Sequence, residues 1–394
     1  MPHPSTSRLS PLRRDAVWDV RARQTVAYEV VLTGDLLDPA HDSLARAGIP
    51  AGTPTPTRRC VVTEQTIDDL YGDRLRAYFE AHGIDVHWLV LDSGEQNKGM
   101  EAVLRAVAAF DAFGILRRQE PVIAVGGGVL TDIVGFACGM FRRGLPHVKV
   151  PTTLMGLVDA GIGAKAGVNH AGGKNRIGCY HPPRATLLDP AFLDTLPDRQ
   201  ISNGLAEILK IALVLDAHLF DLLEEFGPLL RAERFQGHTA DGERAADEVL
   251  RRAIGGMLAE LEPNLWEHEL ERAVDYGHTF SPAVEMHALP ALLHGEAVAV
   301  DMALTTVISW RRGLLGTAQL DRVLAVMTSL GLPTSHAVCR ADLLTDALAD
   351  TVRHRDGRQR MPLATDIGSA HFVDDVTVDE VRGAAAHFHD SRNR

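Results

Sequence analysis

The chain has 394 residues, of which 45% are hydrophobic and 23% charged, and this length allows one large or two ordinary hydrophobic cores. Its formal net charge of -12 disfavours non-specific binding to nucleic acid, and no apolar run is long enough to span a bilayer. The four cysteines form no C-x-x-C pair, so neither a disulfide framework nor a cysteine zinc site is indicated. We therefore expect a cytoplasmic protein with no nucleic-acid or membrane partner.

The first part of the chain alternates predicted strands with a predicted helix. Residues 1–24 lack the apolar core of a signal peptide and are expected to form an N-terminal extension. Strands are predicted at residues 25–32, 60–63 and 86–91, with an amphipathic helix at 67–82. This order favours a mostly parallel sheet with helices on both faces.

A polar loop, DSGEQNK, follows the third predicted strand. In open α/β sheets, a carboxylate at the carboxyl end of a strand can bind a ribose hydroxyl of a dinucleotide. A solvated loop that begins the next helix would have the same composition, so the residues alone leave both interpretations open.

A triple glycine at residues 126–128 directly follows the apolar run 122–125, which is typical of a buried parallel strand. Apolar residues then recur with helical spacing, so the stretch is predicted to form a strand, a glycine turn and a helix. Such a turn exposes backbone N–H groups to which a phosphate can bind. The spacing matches neither G-x-G-x-x-G nor a Walker A loop, and a plain tight turn is the alternative.

A further strand, predicted at 148–150, leads into the sequence PTT and then into a glycine-rich segment. The hydroxyls of Thr152 and Thr153 would lie at the edge of the sheet where open α/β proteins bind ligands. The glycine-rich segment is predicted to form loops that hold an anion, although a solvated basic loop is the alternative. Its cations and amides are Lys165, Asn169, Lys174 and Asn175.

From about residue 190 the apolar pattern becomes mainly helical. We therefore predict an α/β domain at residues 25–190 and an all-α domain at residues 191–394. The predicted helices of the second domain lie at residues 201–215, 219–230, 245–260, 297–310 and 320–330.

Glu207 and Lys210 lie three residues apart in NGLAEILKIAL and therefore share one face of a predicted helix. His278 and His294 occur in two further apolar segments. One glutamate and two histidines could form a three-ligand site for a divalent metal, with one coordination position left open for a substrate. The spacing matches no local metal motif, and each histidine could instead cap a helix or lie in the core.

Six ordered motifs resemble the sugar phosphate cyclase superfamily, whose best-known member is dehydroquinate synthase. They are GGGVLTD, RRGLPHVKVPTTLMGLVDAGIGAKAGVNH, GKNRIGCYHPP, LPDRQISNGLAEILK, GHTFSPAVE and LHGEAVAVDM, and the similarity extends over roughly residues 25–370. The resemblance implies a Rossmann-like, NAD-binding α/β domain, an all-α metal-binding domain, a homodimer, and an active site in the cleft between the domains.

The resemblance also implies which residues form the active site. A zinc or cobalt ion would be held by Glu207, His278 and His294. NAD+ would be contacted by Glu64, Glu95, Lys98, Gly127, Gly128, Val129, Asp132, Thr152 and Thr153. Catalytic and substrate contacts would come from Asp159, Lys165, Asn175, Lys210 and Asp275, with Arg143 reaching across the dimer.

Four positions depart from the dehydroquinate synthase pattern. Asp275 replaces an asparagine, and Pro282 replaces a second histidine. Met257 and Glu271 stand where that enzyme has a lysine and an arginine, although the neighbouring Arg272 could partly compensate. A pocket that loses a cation and gains carboxylates should bind a carboxylated sugar poorly, because an unpaired buried carboxylate is costly. These departures therefore predict a neutral sugar.

The same motifs are similar to the C7-cyclitol branch of the superfamily, in particular to the 2-epi-5-epi-valiolone synthases, which cyclise sedoheptulose 7-phosphate at the start of aminocyclitol biosynthesis. The implied reaction combines transient oxidation by NAD+, phosphate elimination, reduction and an intramolecular aldol closure. The 2-epi-valiolone and desmethyl-4-deoxygadusol synthases take the same substrate and are alternatives. Dehydroquinate synthase, a metal-dependent polyol dehydrogenase and a non-catalytic binding protein are the others.

Overall fold

The structure is a computed structural model that describes residues 17–92 and 94–391. The first 16 residues of the predicted N-terminal extension lie outside the described residues, and residues 17–24 are exposed and form neither helix nor strand. No helix in the described part of the chain combines the length and hydrophobicity that are needed to cross a membrane.

Ten strands occur in the described residues, and six of them build a parallel sheet. In chain order they are β1 (Glu29–Leu32), β2 (Arg58–Glu64), β3 (Asp85–Leu91), β4 (Val122–Gly126), β5 (His147–Pro151), β6 (Lys165–His170), β7 (Gly173–Tyr180), β8 (Ala185–Leu188), β9 (Met361–Asp366) and β10 (Ser369–Val373). The parallel sheet has the order β1-β8-β5-β4-β2-β3. The central strands β4 and β5 are buried along their whole length, which is why their sequences are mainly apolar rather than alternating.

Twelve α-helices occur in the described residues, and the first four cover the parallel sheet. In chain order they are α1 (Ser43–Arg46), α2 (Gln65–Ala81), α3 (Met100–Phe113), α4 (Gly128–Met140), α5 (Asp198–Val214), α6 (Ala217–Glu233), α7 (Ala240–Leu261), α8 (Ser281–Ala288), α9 (His294–Arg311), α10 (Thr317–Ser329), α11 (Ala341–His354) and α12 (Val378–Ser391). Val122 and Ala124 of β4 pack with α3 and α4, whereas Ile123 and Val125 pack with α1 and α2. The predicted sheet with helices on both faces is confirmed.

The C-terminal half is helical, as predicted, with one addition. Strands β9 and β10 form an antiparallel hairpin, and its buried residues Met361 and Leu363 belong to the core that α5 to α12 share. This core also includes Leu154 and Val158, which follow β5, and Leu188 of β8. The domain boundary near residue 190 remains a prediction, because one continuous core crosses it.

The glycine-rich segment after β5 does not form loops, and that prediction was wrong. Strands β6 and β7 pair as an antiparallel hairpin in which Gly167 lies opposite Gly178. A Cβ atom on Gly178 would lie 2.5 Å from the carbonyl oxygen of Ala166, so the close approach of the strands requires glycine. Because several positions of β6 and β7 are glycine, the sequence lacks the alternation of apolar and polar residues that predicts a strand. The two turn residues, Ala171 and Gly172, both have positive φ, as a tight type I′ hairpin requires.

Candidate active site

Three elements bring the predicted metal ligands together. Glu207 lies in the middle of α5, His278 precedes α8, and His294 is the first residue of α9. Glu207 Oε1 is 3.7 Å from His278 Nε2 and 3.5 Å from His294 Nε2. The ligand atoms of all three residues lie within 4.8 Å of one another. Helix packing thus assembles this cluster from residues that are distant in the sequence.

The cluster fits a divalent metal ion. Glu207 Oε1 is buried and has no hydrogen-bond partner among the described residues. His278 Nδ1 lies 3.1 Å from the carbonyl oxygen of Tyr276, to which it can only donate, so Nε2 carries the lone pair. Burial lowers the pKa of His278 well below its ordinary value, and the charge of Lys210 acts in the same direction. Two imidazole nitrogens and one carboxylate oxygen form a donor set that suits zinc or cobalt.

The second histidine is held by a buried carboxylate on α8. His294 Nδ1 lies 2.9 Å from Glu285 Oε2, and Lys174 Nζ of β7 lies 2.5 Å from the same oxygen. An ionised carboxylate can only accept, so Glu285 accepts a hydrogen bond from each partner. Burial opposes ionisation of Glu285, but His294 and Lys174 outweigh it and lower its pKa. This residue was not among the predicted site residues, although it lies in the motif GHTFSPAVE.

Lys210 fixes the other oxygen of the Glu207 carboxylate. Its Nζ is 2.5 Å from Glu207 Oε2 and 3.9 Å from Asp159 Oδ1. Burial lowers the pKa of Lys210, but the two carboxylates outweigh burial, and the pKa is raised. The ammonium group is therefore charged, and it links the metal cluster to the segment that follows β5.

A second charged cluster lies between β6 and the turn before α8. Glu267 forms ion pairs with Lys165 and with Arg272. Asp275 forms ion pairs with Arg272 and with Arg355, whose Nη2 is 3.1 Å from Asp275 Oδ2. Burial raises the pKa of Asp275, but the two arginines outweigh burial and lower it. Asp275 is thus a paired carboxylate, and the compensation expected from Arg272 is joined by Arg355.

Lys165 lies at the start of β6, and its ion pair with Glu267 leaves the side chain partly open to solvent. Its side chain is 57% exposed. The surrounding protein lowers the pKa of the Lys165 ammonium to about 8, and Arg272 acts in the same direction. Water reaches the side chain, and a pKa of about 8 leaves most of Lys165 charged at neutral pH.

The other three departures differ in burial. Met257 is buried in the helical core, where it packs without contact to solvent, whereas Glu271 and Pro282 are exposed. Arg355 was missed because it lies on α11's C-terminal flank, far from Asp275 in the sequence. The ion pairs of Asp275 with Arg272 and Arg355 are therefore the contacts in the structure that favour a neutral sugar.

The glycine turn lies where the carboxyl ends of β2, β4 and β5 meet. Gly127 N donates to Glu64 Oε1 at 2.8 Å, and a Cβ atom on Gly127 would lie 3.3 Å from Thr153 Cγ2. Gly128 begins α4, and a Cβ atom there would lie 3.0 Å from Ala160 Cβ. Thr152 is buried, and its hydroxyl has no hydrogen-bond partner among the described residues. Backbone amides, a helix start and a free hydroxyl at this edge suit a dinucleotide phosphate.

Lys98 lies in the polar loop after β3 and forms hydrogen bonds with α4, which follows the glycine turn, and with the β6–β7 hairpin. Lys98 Nζ donates to Asp132 Oδ2 of α4 at 2.6 Å and to Asn175 Oδ1 at 2.7 Å. Burial lowers the pKa of Lys98, but Asp132 and Glu95 outweigh burial and raise it. In the same loop, Glu95 Oε1 accepts from Asn169 Nδ2 at 2.8 Å. The loop is therefore built into the site and is not merely solvated.

Two predicted residues have side chains outside these clusters. Val129 is half-buried at the start of α4 and packs against the core between the sheet and that helix. Arg143 is exposed in the turn after α4, where its carbonyl oxygen accepts from Arg117 Nη2 at 3.2 Å. Its predicted contact lies in a second subunit and stays a prediction.

Comparison with known proteins gives consistent matches over most of the chain. The family model of the 3-dehydroquinate synthase N-terminal domain matches residues 88–203, and that of the 3-dehydroquinate synthase C-terminal domain matches residues 204–354. A 2-epi-5-epi-valiolone synthase of Streptomyces albus is 58% identical over 367 residues, which cover 93% of this chain and 89% of that protein. A demethyl-4-deoxygadusol synthase of Trichormus variabilis is 36% identical, over 95% of this chain and 90% of that protein.

A solved structure is similar over almost the whole chain. It is ValA, a 2-epi-5-epi-valiolone synthase from Streptomyces hygroscopicus subsp. jinggangensis 5008 with NAD+ and Zn2+ bound. The two chains superpose with a TM-score of 0.90 at 53% identity, and the match covers 95% of this chain and 100% of ValA.

Proposed function

Because this chain belongs to the 3-dehydroquinate synthase family, we propose that it is a sugar phosphate cyclase that converts sedoheptulose 7-phosphate to 2-epi-5-epi-valiolone and inorganic phosphate. The observation that carries this proposal is the 58% identity to a relative with that activity, against 36% to a demethyl-4-deoxygadusol synthase. The cluster of Glu207, His278 and His294 supports an enzyme rather than a binding protein, since all three ligand atoms converge.

We propose one zinc or cobalt ion and one NAD+ as cofactors, as the ValA structure with both NAD+ and Zn2+ suggests. Glu207, His278 and His294 would hold the metal, which when bound polarises a substrate hydroxyl and favours its oxidation. NAD+ supplies the acceptor and donor of one hydride. The residues proposed to hold NAD+ are Glu64, Glu95, Lys98, Gly127, Gly128, Val129, Asp132, Thr152 and Thr153.

Lys165 and Asn175 are proposed to bind the phosphate group that leaves. The Lys165 ammonium is exposed and charged, and it needs only to exchange Glu267 for the incoming phosphate. Asn175 Oδ1 accepts from Lys98, which leaves its Nδ2 group free to donate to an anion. A cation and an amide donor stabilise the negative charge that grows on the departing phosphate.

Asp159 and Lys210 are proposed to orient the sugar. Their side chains lie 3.9 Å apart beside the metal cluster, so together they offer one acceptor and one donor to hydroxyl groups. Holding those hydroxyls in one orientation removes entropy from the reaction step. Lys210 keeps its charge because the neighbouring carboxylates of Glu207 and Asp159 raise its pKa.

The charged cluster around Asp275 supports a neutral sugar. Arg272 is already paired with Asp275 and Glu267, and Arg355 is paired with Asp275. A carboxylated substrate would need to break one of these pairs and leave a carboxylate of the protein partly unpaired, which is costly in a buried site. Hydroxyl groups of sedoheptulose 7-phosphate can accept from or donate to the cluster without breaking it.

The same proposal includes two structural domains that meet near residue 190, a homodimer in which Arg143 reaches the partner's site, and a cytoplasmic location. The family resemblance supports the first two. Sedimentation of the purified protein tests the dimer, and a monomer that is fully active would remove the role proposed for Arg143.

The experiment that tests the proposed function is product identification. The purified protein, loaded with zinc or cobalt and NAD+, is incubated with sedoheptulose 7-phosphate, and the products are examined by NMR. We expect stoichiometric inorganic phosphate and 2-epi-5-epi-valiolone. A product with the 2-epi-valiolone or desmethyl-4-deoxygadusol structure would replace the proposed reaction by one of the alternatives within the branch.

A further inference from the structure

Lys149 is a lysine in the middle of a buried strand of the parallel sheet. It lies in β5, and its side chain is fully buried, with a residue exposure of 0%. No carboxylate of the described residues lies within 4.0 Å of its Nζ, so it forms no ion pair there. A buried ammonium group without an ion-pair partner is expensive, and valine or isoleucine would fill such a strand position more cheaply. Its presence therefore calls for a specific role.

The ammonium group binds a short turn, residues 160–163, which lies between β5 and β6. Lys149 Nζ donates to the carbonyl oxygen of Gly163 at 2.9 Å and to that of Ala160 at 3.2 Å. Thr186, its neighbour in register on β8, donates to Gly161 O at 3.0 Å.

The fourth carbonyl of the turn is bound as well. Tyr28 OH, which precedes β1, donates to Ile162 O at 2.9 Å. The four successive carbonyls of residues 160–163 thus each accept a hydrogen bond from the side chain of Lys149, Thr186 or Tyr28. The turn also has backbone bonds of its own, from Gly161 N to Gly156 O and from Ile162 N to Asp159 O, so the side chains fix it in addition to these bonds.

The turn separates two residues of the proposed active site. Asp159, which faces Lys210 at 3.9 Å, comes directly before it, and Lys165 begins β6 directly after Ala164. We propose that Lys149 is a positioning residue that holds Asp159 and Lys165 at the separation the reaction needs. It touches neither substrate nor cofactor and acts through the backbone of residues 160–163. This inference rests on the proposed function of Lys165 and Asp159.

The role of Lys149 does not depend on its charge. Burial lowers the pKa of Lys149, while the more distant Asp132 and Asp159 act in the opposite direction. A neutral amine retains two protons and can still donate to both carbonyls, so the anchoring survives either protonation state. The proposal therefore depends on the reach and the donors of the side chain, which a methionine of similar length lacks.

The test compares Lys149→Met with the wild type, both loaded with zinc and NAD+. We expect kcat for phosphate release from sedoheptulose 7-phosphate to fall at least about tenfold, because small displacements of positioned groups cost that much. KM should rise by about the factor by which phosphate binding weakens, since Lys165 also holds the phosphate group of the substrate. Loss of folded protein alone would lower the active fraction without weakening anion binding. We therefore also measure inorganic phosphate binding by calorimetry and expect it to weaken about fivefold or more.

A second variant keeps the proposal testable if Lys149→Met does not fold. Tyr28→Phe removes the donor to Ile162 O, and Tyr71→Phe is its matched control, because Tyr71 OH pairs with Thr195 Oγ1 at 2.8 Å away from the turn. We expect kcat and phosphate affinity to fall in Tyr28→Phe and not in Tyr71→Phe.

The outcomes separate this inference from the proposed function. Wild-type kcat and phosphate affinity in Lys149→Met, or in Tyr28→Phe if the first variant is unfolded, would overturn the positioning role. A wild type that binds inorganic phosphate but releases none from sedoheptulose 7-phosphate would overturn the proposed function alone, because phosphate binding then still reports on Lys149. Absence of phosphate binding by the wild type would overturn the inference itself.

Discussion

Lys174 of β7 and Glu285 of α8 form a buried ion pair, with 2.5 Å between Nζ and Oε2, and the same carboxylate oxygen holds His294 at 2.9 Å. The β6–β7 hairpin is thereby connected to the cluster of Glu207, His278 and His294. The hairpin contributes Asn175 next to Lys174, so a change in the metal cluster can shift the residue proposed to bind phosphate.

Substitution at Glu285 should weaken metal binding without abolishing it. Glu285→Gln keeps the size of the side chain but loses the charge that orients His294, and such partners are worth about ten- to a hundredfold in metal affinity. His278→Ala removes a ligand and should leave almost no bound metal and no phosphate release. Metal content after dialysis and zinc affinity by competition with a chelator measure both effects.

Glu101→Gln, on the exposed side of α3, is the matched control for Glu285→Gln and should bind zinc like the wild type. Full metal occupancy of His278→Ala would show that Glu207, His278 and His294 do not form the metal site. Zinc affinity unchanged in Glu285→Gln would show that the carboxylate does not act on His294.

NAD+ should be recycled and not consumed. If the hydride taken from the sugar returns before the product leaves, the nicotinamide absorbance stays constant while phosphate accumulates. A substrate analogue whose phosphate group cannot be eliminated should halt the reaction after oxidation, and up to one NADH per subunit should then appear. Steady NADH production in proportion to sedoheptulose 7-phosphate would favour a polyol dehydrogenase.

Asp301 should give the protein a characteristic pH dependence of stability. It is fully buried in α9, where Oδ2 accepts from the backbone N–H groups of Phe280 and Ser281. Burial raises its pKa to about 6, although these N–H groups oppose the rise. A carboxyl whose folded pKa exceeds its unfolded pKa of about 3.9 binds protons more tightly when folded. Ionisation of Asp301 therefore lowers the free energy of unfolding. The loss is complete above about pH 6 and absent below the unfolded pKa of about 3.9.

The comparison of Asp301→Asn with the wild type isolates this effect, because other titrating groups are common to both. The variant should gain stability relative to the wild type as pH rises from about 5 to about 7.5, by roughly 1 to 2 kcal/mol. Thermal unfolding at a series of pH values measures the gap. The size of the difference in unfolding free energy depends on how the amide of the variant fits in place of the carboxylate. The change of that difference with pH does not. A gap independent of pH would mean that Asp301 does not titrate in this range.

Much of the fold was predictable from the sequence because its signals are local. The run at 122–125 followed by three glycines gave both a central strand and a helix start, and the apolar spacing after residue 190 gave the later helices. The β6–β7 hairpin was missed because Gly167 and Gly178, which let the strands approach closely, carry no apolar or β-branched signal. The β9–β10 hairpin was missed for a related reason, since its strands are short and β9 contains a proline.

The site was predictable only where residues carry recognisable chemistry in a motif. Glu207, His278 and His294 could be proposed as ligands, but their convergence depends on helix packing that no spacing reveals. Arg355 and Lys149 could not be foreseen. Arg355, at the end of a different helix, pairs with Asp275 only in the folded chain. In the sequence, Lys149 is a single polar residue in an apolar strand, and only the structure shows the carbonyls that it binds.

The most direct test of the account compares specificity constants for two sugars at equal zinc and NAD+. One is sedoheptulose 7-phosphate, and the other is the carboxylated seven-carbon sugar phosphate that 3-dehydroquinate synthases cyclise. Breaking one charge-assisted bond of the Asp275 cluster costs about 1.5 to 3 kcal/mol, so we predict kcat/KM for sedoheptulose 7-phosphate to be higher by about tenfold to a hundredfold or more. Equal values, or a preference for the carboxylated sugar, would contradict the account and identify the protein as an unusual 3-dehydroquinate synthase.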